Sequence, residues 1–394
     1  WELLRQAGEL SRRNRSLQEW VSFLGSGYYD RFIPAAVEAL ASRGEFATAY
    51  TPYQPELSQG TLAAIFEYQT MIAGLTGTYA AQASMYDGAS AAAEACLLAL
   101  NHTGRRKVGL GKAVHPEVQA TIRTYLRVRE AAVVEVADGR ELAESCSPEW
   151  AAVVWQYPDA LGGVDDLAPL AEAAHRVGAL FIAVADPVAL AVLKPPGALG
   201  ADVVVGEGQA LGIPLSYGGP GLGFFAVQAP LLRRMPGRLV GETRDREGRR
   251  GFVLTLQARE QHIRREHATS NICSNHSLNA LRTAIYLALL GPQGLREVAE
   301  RSAAGAHYLA EQLEGLGLER VGADRPFLYE FVVSVPGEVG DLNRHLLTQG
   351  ILGGVDLGRW RPEWKGYWQL AVTEKRTRAE CDRLVEEVRR WMSG

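Results

Sequence analysis

Lysine is scarce in this chain: Lys107, Lys112, Lys194, Lys365 and Lys375 are the whole supply in 394 residues. Chemistry that runs through a side-chain amine therefore has few places to start. Cysteine is as sparse, with Cys96, Cys146, Cys273 and Cys381 far apart. The sequence has no CxxC pair and no His/Cys cluster at metal-ligand spacing, which argues against a metal site or a disulfide scaffold and for reduced thiols in a cytoplasmic protein. No apolar run approaches the roughly 20 residues that span a bilayer, and the start of the chain has no signal-peptide pattern, so no membrane is expected. The chain opens at Trp1 without a methionine, so a native N-terminal segment is expected before it. A basic excess is also lacking. A net charge of −4 and a pI near 6.1 offer nothing to hold a nucleic-acid backbone, which leaves small molecules and proteins as the expected partners.

With 47% hydrophobic and 22% charged residues, a chain of this length buries a large core and divides into a big and a small domain. Residues 1–60 read as an irregular but ordered arm and interface loop. Gly, Tyr and Pro cluster there in "FLGSGYYDRFIP" and "TAYTPYQPELSQG", and the aromatic content argues against disorder. Helical windows near 61–75, 89–100, 116–128 and 165–177 then alternate with short apolar runs at 107–110, 131–136, 152–155, 180–184, 203–205 and 223–227. That alternation predicts an α/β domain over 61–291 built on a parallel sheet covered on both faces. After a helix near 276–290 and the break "GPQG", the order helix, strand, helix, strand, helix predicts a small C-terminal α+β domain over 292–394.

Three places in the large domain could carry chemistry, and each has a plainer explanation beside it. In "SMYDGAS", Asp87, Gly88, Ala89 and Ser90 form a turn that opens a helix, where free backbone N–H groups favour a phosphate; a tight helix start against the sheet accounts for the same residues. His115 precedes Pro116 at a strand-to-helix junction on the ligand-binding edge of a parallel sheet, where it stacks on a planar ring or caps the helix. Asp186 ends the buried run "ALFIAVAD". A carboxylate there is costly unless it meets a positive group, such as a pyridinium nitrogen, or caps the turn that follows at Pro187.

Next comes "GADVVVGEGQALGIPLSYGGPGLGFFAV", a strand, a Gly-rich turn and a second Gly-rich loop. A phosphate-type turn, a ring-stacking His, an Asp at a strand end and then this strand and loop, in this order, resemble the fold-type I pyridoxal-phosphate (PLP) enzymes. The segments "YTPYQPELSQGTL", "FEYQTMIAGLTG", "LKPPGALGADVVVGEGQ", "GRLVGET" and "RREHATSNIC" narrow the resemblance to the glycine decarboxylase P-protein family over most of residues 45–275. The resemblance implies a PLP-transferase-like α/β large domain with a mainly parallel sheet and a small C-terminal α+β domain. In the catalytic half of that family, the stretch before the Ile-Pro and glycine loop carries a His-Lys pair whose lysine forms the Schiff base. Counted back from Ile213 and Pro214, the matching residue here is Gln209. An amide forms no imine. The chain thus resembles the non-PLP half, subunit 1 or alpha, of a two-subunit P-protein, with Asp87, Gly88, Ala89, Ser90, His115, Asp186 and Gln209 as a degenerate cofactor site.

The family reaction decarboxylates glycine on PLP and passes the aminomethyl group to the lipoyl arm of the H-protein. The resemblance therefore implies a PLP-bearing subunit 2 as partner in an α2β2 assembly, a lipoylated H-protein, glycine as substrate, and no cofactor held covalently here. Fold-type I sites are built at subunit interfaces. Tyr50, Thr51, Tyr53, Gln54, Glu56, Ser58 and Gln59, framed by Pro52 and Pro55, are expected to reach the partner's site or else to pack at the interface without a chemical role. Ser270 and Asn271, after Thr269, are expected either to meet a phosphate or to cap the following helix. The basic stretch from Arg244 to Arg265 reads as a dock for an acidic lipoyl carrier or as a solvated, salt-bridged face. Two other functions compete: an independent fold-type I PLP enzyme using a different lysine, and a non-catalytic structural or regulatory partner.

Overall fold

The computed structural model describes residues 1–48 and 51–393. Contacts divide the chain into two compact units, Arg31–Glu300 and a second made of Trp1–Asp30 with the residues from Arg301 onward. In the larger unit Ala80–Ala81 (β1), Lys107–Gly111 (β2), Ala132–Val136 (β3), Trp150–Tyr157 (β4), Leu180–Ala185 (β5), Val203–Glu207 (β6) and Gly223–Val227 (β7) build one sheet. Its spatial order is β1-β7-β6-β5-β4-β2-β3. The pairs from β6 through β5, β4 and β2 to β3 are parallel, whereas β7 is antiparallel to both β6 and β1. This is the expected α/β fold with a mainly parallel sheet.

Parallel strands covered on both faces must be apolar throughout, and all six residues of β5 are buried. Crossover helices Gln59–Thr76 (α1), Gly88–Thr103 (α2) and Pro116–Arg127 (α3) precede or follow these strands. In α2 the side chains of Ala91, Ala92, Ala93, Ala95, Cys96 and Ala99 have no exposed surface. Small side chains let this helix lie close on the sheet. The same crowding explains glycine inside β2, because a Cβ on Gly109 would stand 1.9 Å from the Trp150 ring.

A hairpin of Leu239–Arg244 (β8) and Arg250–Thr255 (β9) packs its Val240, Phe252 and Leu254 against Leu62 and Ile65 of α1. Two glutamines of α1 tie its backbone. Gln69 donates Nε2 to the Val240 carbonyl at 3.0 Å and accepts from Val240 N at 2.9 Å, and Gln59 makes the same pair of bonds with Phe252, both at 2.9 Å.

In the smaller unit Val21–Ser22 pairs in parallel with Ile351–Leu352, and Glu330–Ser334, Tyr367–Ala371 and Val355–Asp356 form an antiparallel sheet. Asp30 there meets Lys375 Nζ at 2.6 Å and Arg376 Nη2 at 3.5 Å. The sequence-based division at 60 and 291 differs from this grouping, since residues 1–30 are held by strand pairing and ion pairs to segments more than three hundred positions away. Nor is the first stretch irregular throughout, because Glu2–Ser11 and Ala35–Ala41 are helices. Among the described residues no helix is long and apolar enough to cross a membrane, and no group of three or more His, Cys, Asp or Glu could hold a metal ion.

Gln69→Leu leaves the buried N–H and C=O of Val240 without partners, so it should cost about 2 kcal/mol of stability, measured by chemical denaturation. An unchanged midpoint would show that the hairpin does not depend on this glutamine.

Candidate functional site

Loops leaving the C-terminal ends of parallel strands gather at one edge of the sheet, where ligands bind in such folds. Here that edge carries the residues expected from the sequence, and the polar ones have local partners. Asp87 is the N-cap of α2: its Oδ1 accepts from Ser90 N at 2.7 Å, while Asp87 N reaches Ser90 Oγ at 3.4 Å. Ala89, in the first turn of α2, offers only a methyl group. His115 caps α3, accepting on Nδ1 from Glu117 N at 3.2 Å, and its own N donates to Gln156 Oε1 at 2.7 Å. Asp186 Oδ1 accepts from Val188 N at 2.9 Å and from Ala189 N at 3.3 Å. Gln209 is 2% exposed and donates Nε2 to the Ile213 carbonyl at 2.8 Å, closing its own turn.

One residue of this edge was not singled out from the sequence. Glu207, the last residue of β6, accepts from Gly88 N at 3.0 Å, Gln209 N at 3.0 Å and Leu222 N at 2.8 Å. A pyridoxal phosphate needs an amine for its aldehyde and free N–H donors for its phosphate. Here Gln209, where the sequence resemblance expects the amine, is a buried amide bonded to Ile213, and the N–H of Gly88 already meets a carboxylate. The residues present do not fit the cofactor.

A second cluster forms around Arg238, which leads into β8. Its Nη1 donates to Asn275 Oδ1 at 3.0 Å and its Nη2 to the Cys273 carbonyl at 2.9 Å and Tyr53 Oη at 3.5 Å. The guanidinium also lies 5.7 Å from the Tyr53 ring centroid, and that ring packs on His262 at 5.2 Å. Arg238 thereby joins the two stretches expected to reach a partner. A cleft of about 200 Å³ opens beside Thr51, Pro52, Arg238 and Asn275. Tyr53, Gln54 and Glu56 are exposed, Ser58 precedes α1 without capping it, and Tyr50 lies outside the described residues. Gln59 differs from expectation, since its amide is spent on the hairpin. Ser270 Oγ donates to Glu94 Oε1 at 2.9 Å and accepts from Ile272 N at 3.1 Å, while Asn271 is exposed. Neither caps the next helix, which begins at Ser277.

The family description "Glycine cleavage system P-protein" matches residues 1–388. The chain belongs to the glycine cleavage system P-protein family. It is 50% identical over 393 residues to a protein of Geobacillus kaustophilus (strain HTA426) named probable glycine dehydrogenase (decarboxylating) subunit 1, covering 98% of this chain and 88% of that one. The crystal structure of a glycine decarboxylase (P-protein) of the glycine cleavage system, in inhibitor-bound form, superposes with a TM-score of 0.93 at 48% identity, over 99% of this chain and 89% of that chain. A cysteine desulfurase from Thermococcus onnurineus NA1 in its apo form superposes with a TM-score of 0.71 at 14% identity over 98% of each chain, which shows the fold alone.

In this P-protein family member three carboxyls are held above the ordinary carboxylate range, each chiefly by burial: Glu94, Glu207 and Glu260. For Glu207 the three N–H donors pull the other way, and for Glu94 so does the Ser270 hydroxyl. Burial likewise holds Arg259 below its usual value. Arg259 Nε and Nη2, Arg238 Nε and Glu260 Oε1 are buried atoms with no hydrogen-bond partner among the described residues.

An acid whose value is raised by folding binds its proton more tightly in the folded state, so its contribution to stability is full below the unfolded value and is lost as pH rises through the folded one. The thermal midpoint should therefore rise as pH is lowered from neutrality toward the ordinary glutamate value of about 4.3, with a smaller slope in Glu94→Gln. A slope of the opposite sign would contradict the burial of these carboxyls. Arg238→Met should release residues 51–59 and 273–275 together, raising their amide exchange about tenfold or more. Exchange confined to one of the two stretches would show that Arg238 does not join them.

Proposed function

We propose that this chain is the half of a two-subunit glycine decarboxylase that lacks the Schiff-base lysine, that the partner subunit carries the PLP, and that residues 51–59 with Ser270 and Asn271 complete the partner's active site. The P-protein family depends on PLP, and a relative named subunit 1 implies a second subunit. The observation that carries the reading is Gln209, a buried amide bonded to Ile213 where the family chemistry needs an amine. PLP in the partner supplies the electron sink.

This chain supplies orientation. Arg238 and the prolines hold Tyr53 and set the exposed amide of Gln54 and carboxylate of Glu56 on a short turn, where they lose little entropy on meeting a partner. We take the assembly to be α2β2, acting on glycine in the cytoplasm. The lipoyl arm of an acidic H-protein approaches the stretch from Arg244 to Arg265, where Arg246, Arg264 and Arg265 are exposed.

The test is co-expression with the lysine-bearing subunit, followed by mass measurement and a glycine–bicarbonate exchange assay with lipoylated carrier. Only the complex should exchange. Tyr53→Phe and Glu56→Gln should lower its kcat/KM about tenfold or more without dissociating it. Full activity from the partner alone, or from complexes carrying both substitutions, would refute the contribution of this loop.

A further inference from the structure

Of the groups at the strand edge, Glu207 has the least reason to be where it is. A partly buried carboxylate at the end of a parallel strand faces the start of a helix, a place that in a PLP-transferase-like fold is open to a ligand's phosphate. We infer that Glu207 is a built-in anion that occupies the phosphate position, so that this subunit excludes PLP even where an amine is supplied.

The geometry matches what an anion needs. Three backbone N–H groups from three separate segments, Gly88 at the start of α2, Gln209 in the turn after β6 and Leu222 before β7, converge on the two carboxylate oxygens at 2.8–3.0 Å. The cradle is closed as well as filled. A Cβ on Gly88 would stand 2.7 Å from Glu207 N, one on Gly223 2.3 Å from the Asp87 carbonyl oxygen, and one on Gly206 2.1 Å from the Ala185 carbonyl oxygen. Backbone meets backbone at this edge, and a phosphate entering the cradle would have to displace a like charge from its donors. Asp87, whose own carboxylate takes the Ser90 N–H, adds a second negative group to the same helix start.

The inference deepens the proposed function, on which it rests for its meaning, by giving the physical reason the cofactor is confined to the partner. Its test uses the isolated full-length chain and is independent of activity, so the two can fail separately. Wild type, Gln209→Lys, Glu207→Ala, Glu207→Gln and the double variant Glu207→Ala/Gln209→Lys are titrated with PLP and with inorganic phosphate. Binding is followed by absorbance, by thermal shift and by borohydride-reducible adduct, with folding checked by circular dichroism.

Wild type and Gln209→Lys should show no saturable binding that phosphate competes away. Removing the charge should tighten PLP binding by about tenfold or more, and only the double variant should give the reducible adduct at the new lysine. Glu207→Gln keeps the shape of the side chain and covers the case in which the alanine variant does not fold. Should neither variant fold, a borohydride-reducible PLP adduct on folded Gln209→Lys with Glu207 intact overturns the inference by itself. The inference is overturned if Gln209→Lys with Glu207 intact takes up PLP as tightly as the double variant, or if folded Glu207 variants gain no binding.

Discussion

Backbone N–H groups at the start of a helix and at the turns beyond a sheet edge must find acceptors, and in this chain one side chain answers three of them. The bonds from Gly88, Gln209 and Leu222 to Glu207 draw α2, the turn after β6 and the lead-in to β7 to one point. Much else in the local sequence follows from that point. The glycines at 88, 206 and 223 are there because a Cβ at any of them would meet backbone within 3 Å. The alanines of α2 let the helix come near enough to offer its first N–H. At this turn the N–H groups that a phosphate could use are met by the chain's own carboxylate.

Much of the fold was legible because its strands are continuous apolar runs and its helices are punctuated by Gly and Pro. The run expected at 223–227 coincides with β7, and the others fall within two residues of β2 to β6. What escaped reading did so for identifiable reasons. The helix Glu2–Ser11 buries none of its residues, so no core-facing signal marked it. The hairpin β8–β9 is interrupted by the charged turn "RDREGRR", which drew attention to its charge and hid the period-two pattern on either side. The grouping of residues 1–30 with the C-terminal segment depends on Val21 pairing with Ile351, which no local pattern can announce.

The site was legible in part, and the division is instructive. Gln209 was found because a long motif fixed its position by count. Glu207, two residues earlier, was passed over as one letter of a glycine-rich turn, since its meaning comes from Gly88, 119 positions away. Arg238 was hidden among many arginines, and only the meeting of Tyr53, Cys273 and Asn275 sets it apart. Asp87, His115 and Asp186 each cap the helix or turn that follows them, the plainer of the two readings their sequence context allows. Sequence position located these groups, but contact decided what they do.

The strand edge around Glu207 and the loop at residues 51–59 are connected through hydrogen bonds. Tyr86, next to Asp87, accepts on its hydroxyl from Cys273 N at 3.1 Å; the Cys273 carbonyl accepts from Arg238 at 2.9 Å; and Arg238 holds Tyr53. In parallel, Asn275 donates to Ser84 Oγ at 3.0 Å and accepts from Arg238 at 3.0 Å. The positions of Tyr53 and its neighbours thus depend on the segment 84–88, and that segment depends on Gly88 having an acceptor. In an enzyme that binds its cofactor, a phosphate can serve as that acceptor and the loop is ordered when the site is loaded. Here an internal carboxylate provides the acceptor without a ligand, at the cost of keeping Glu207 partly buried above the ordinary carboxylate range.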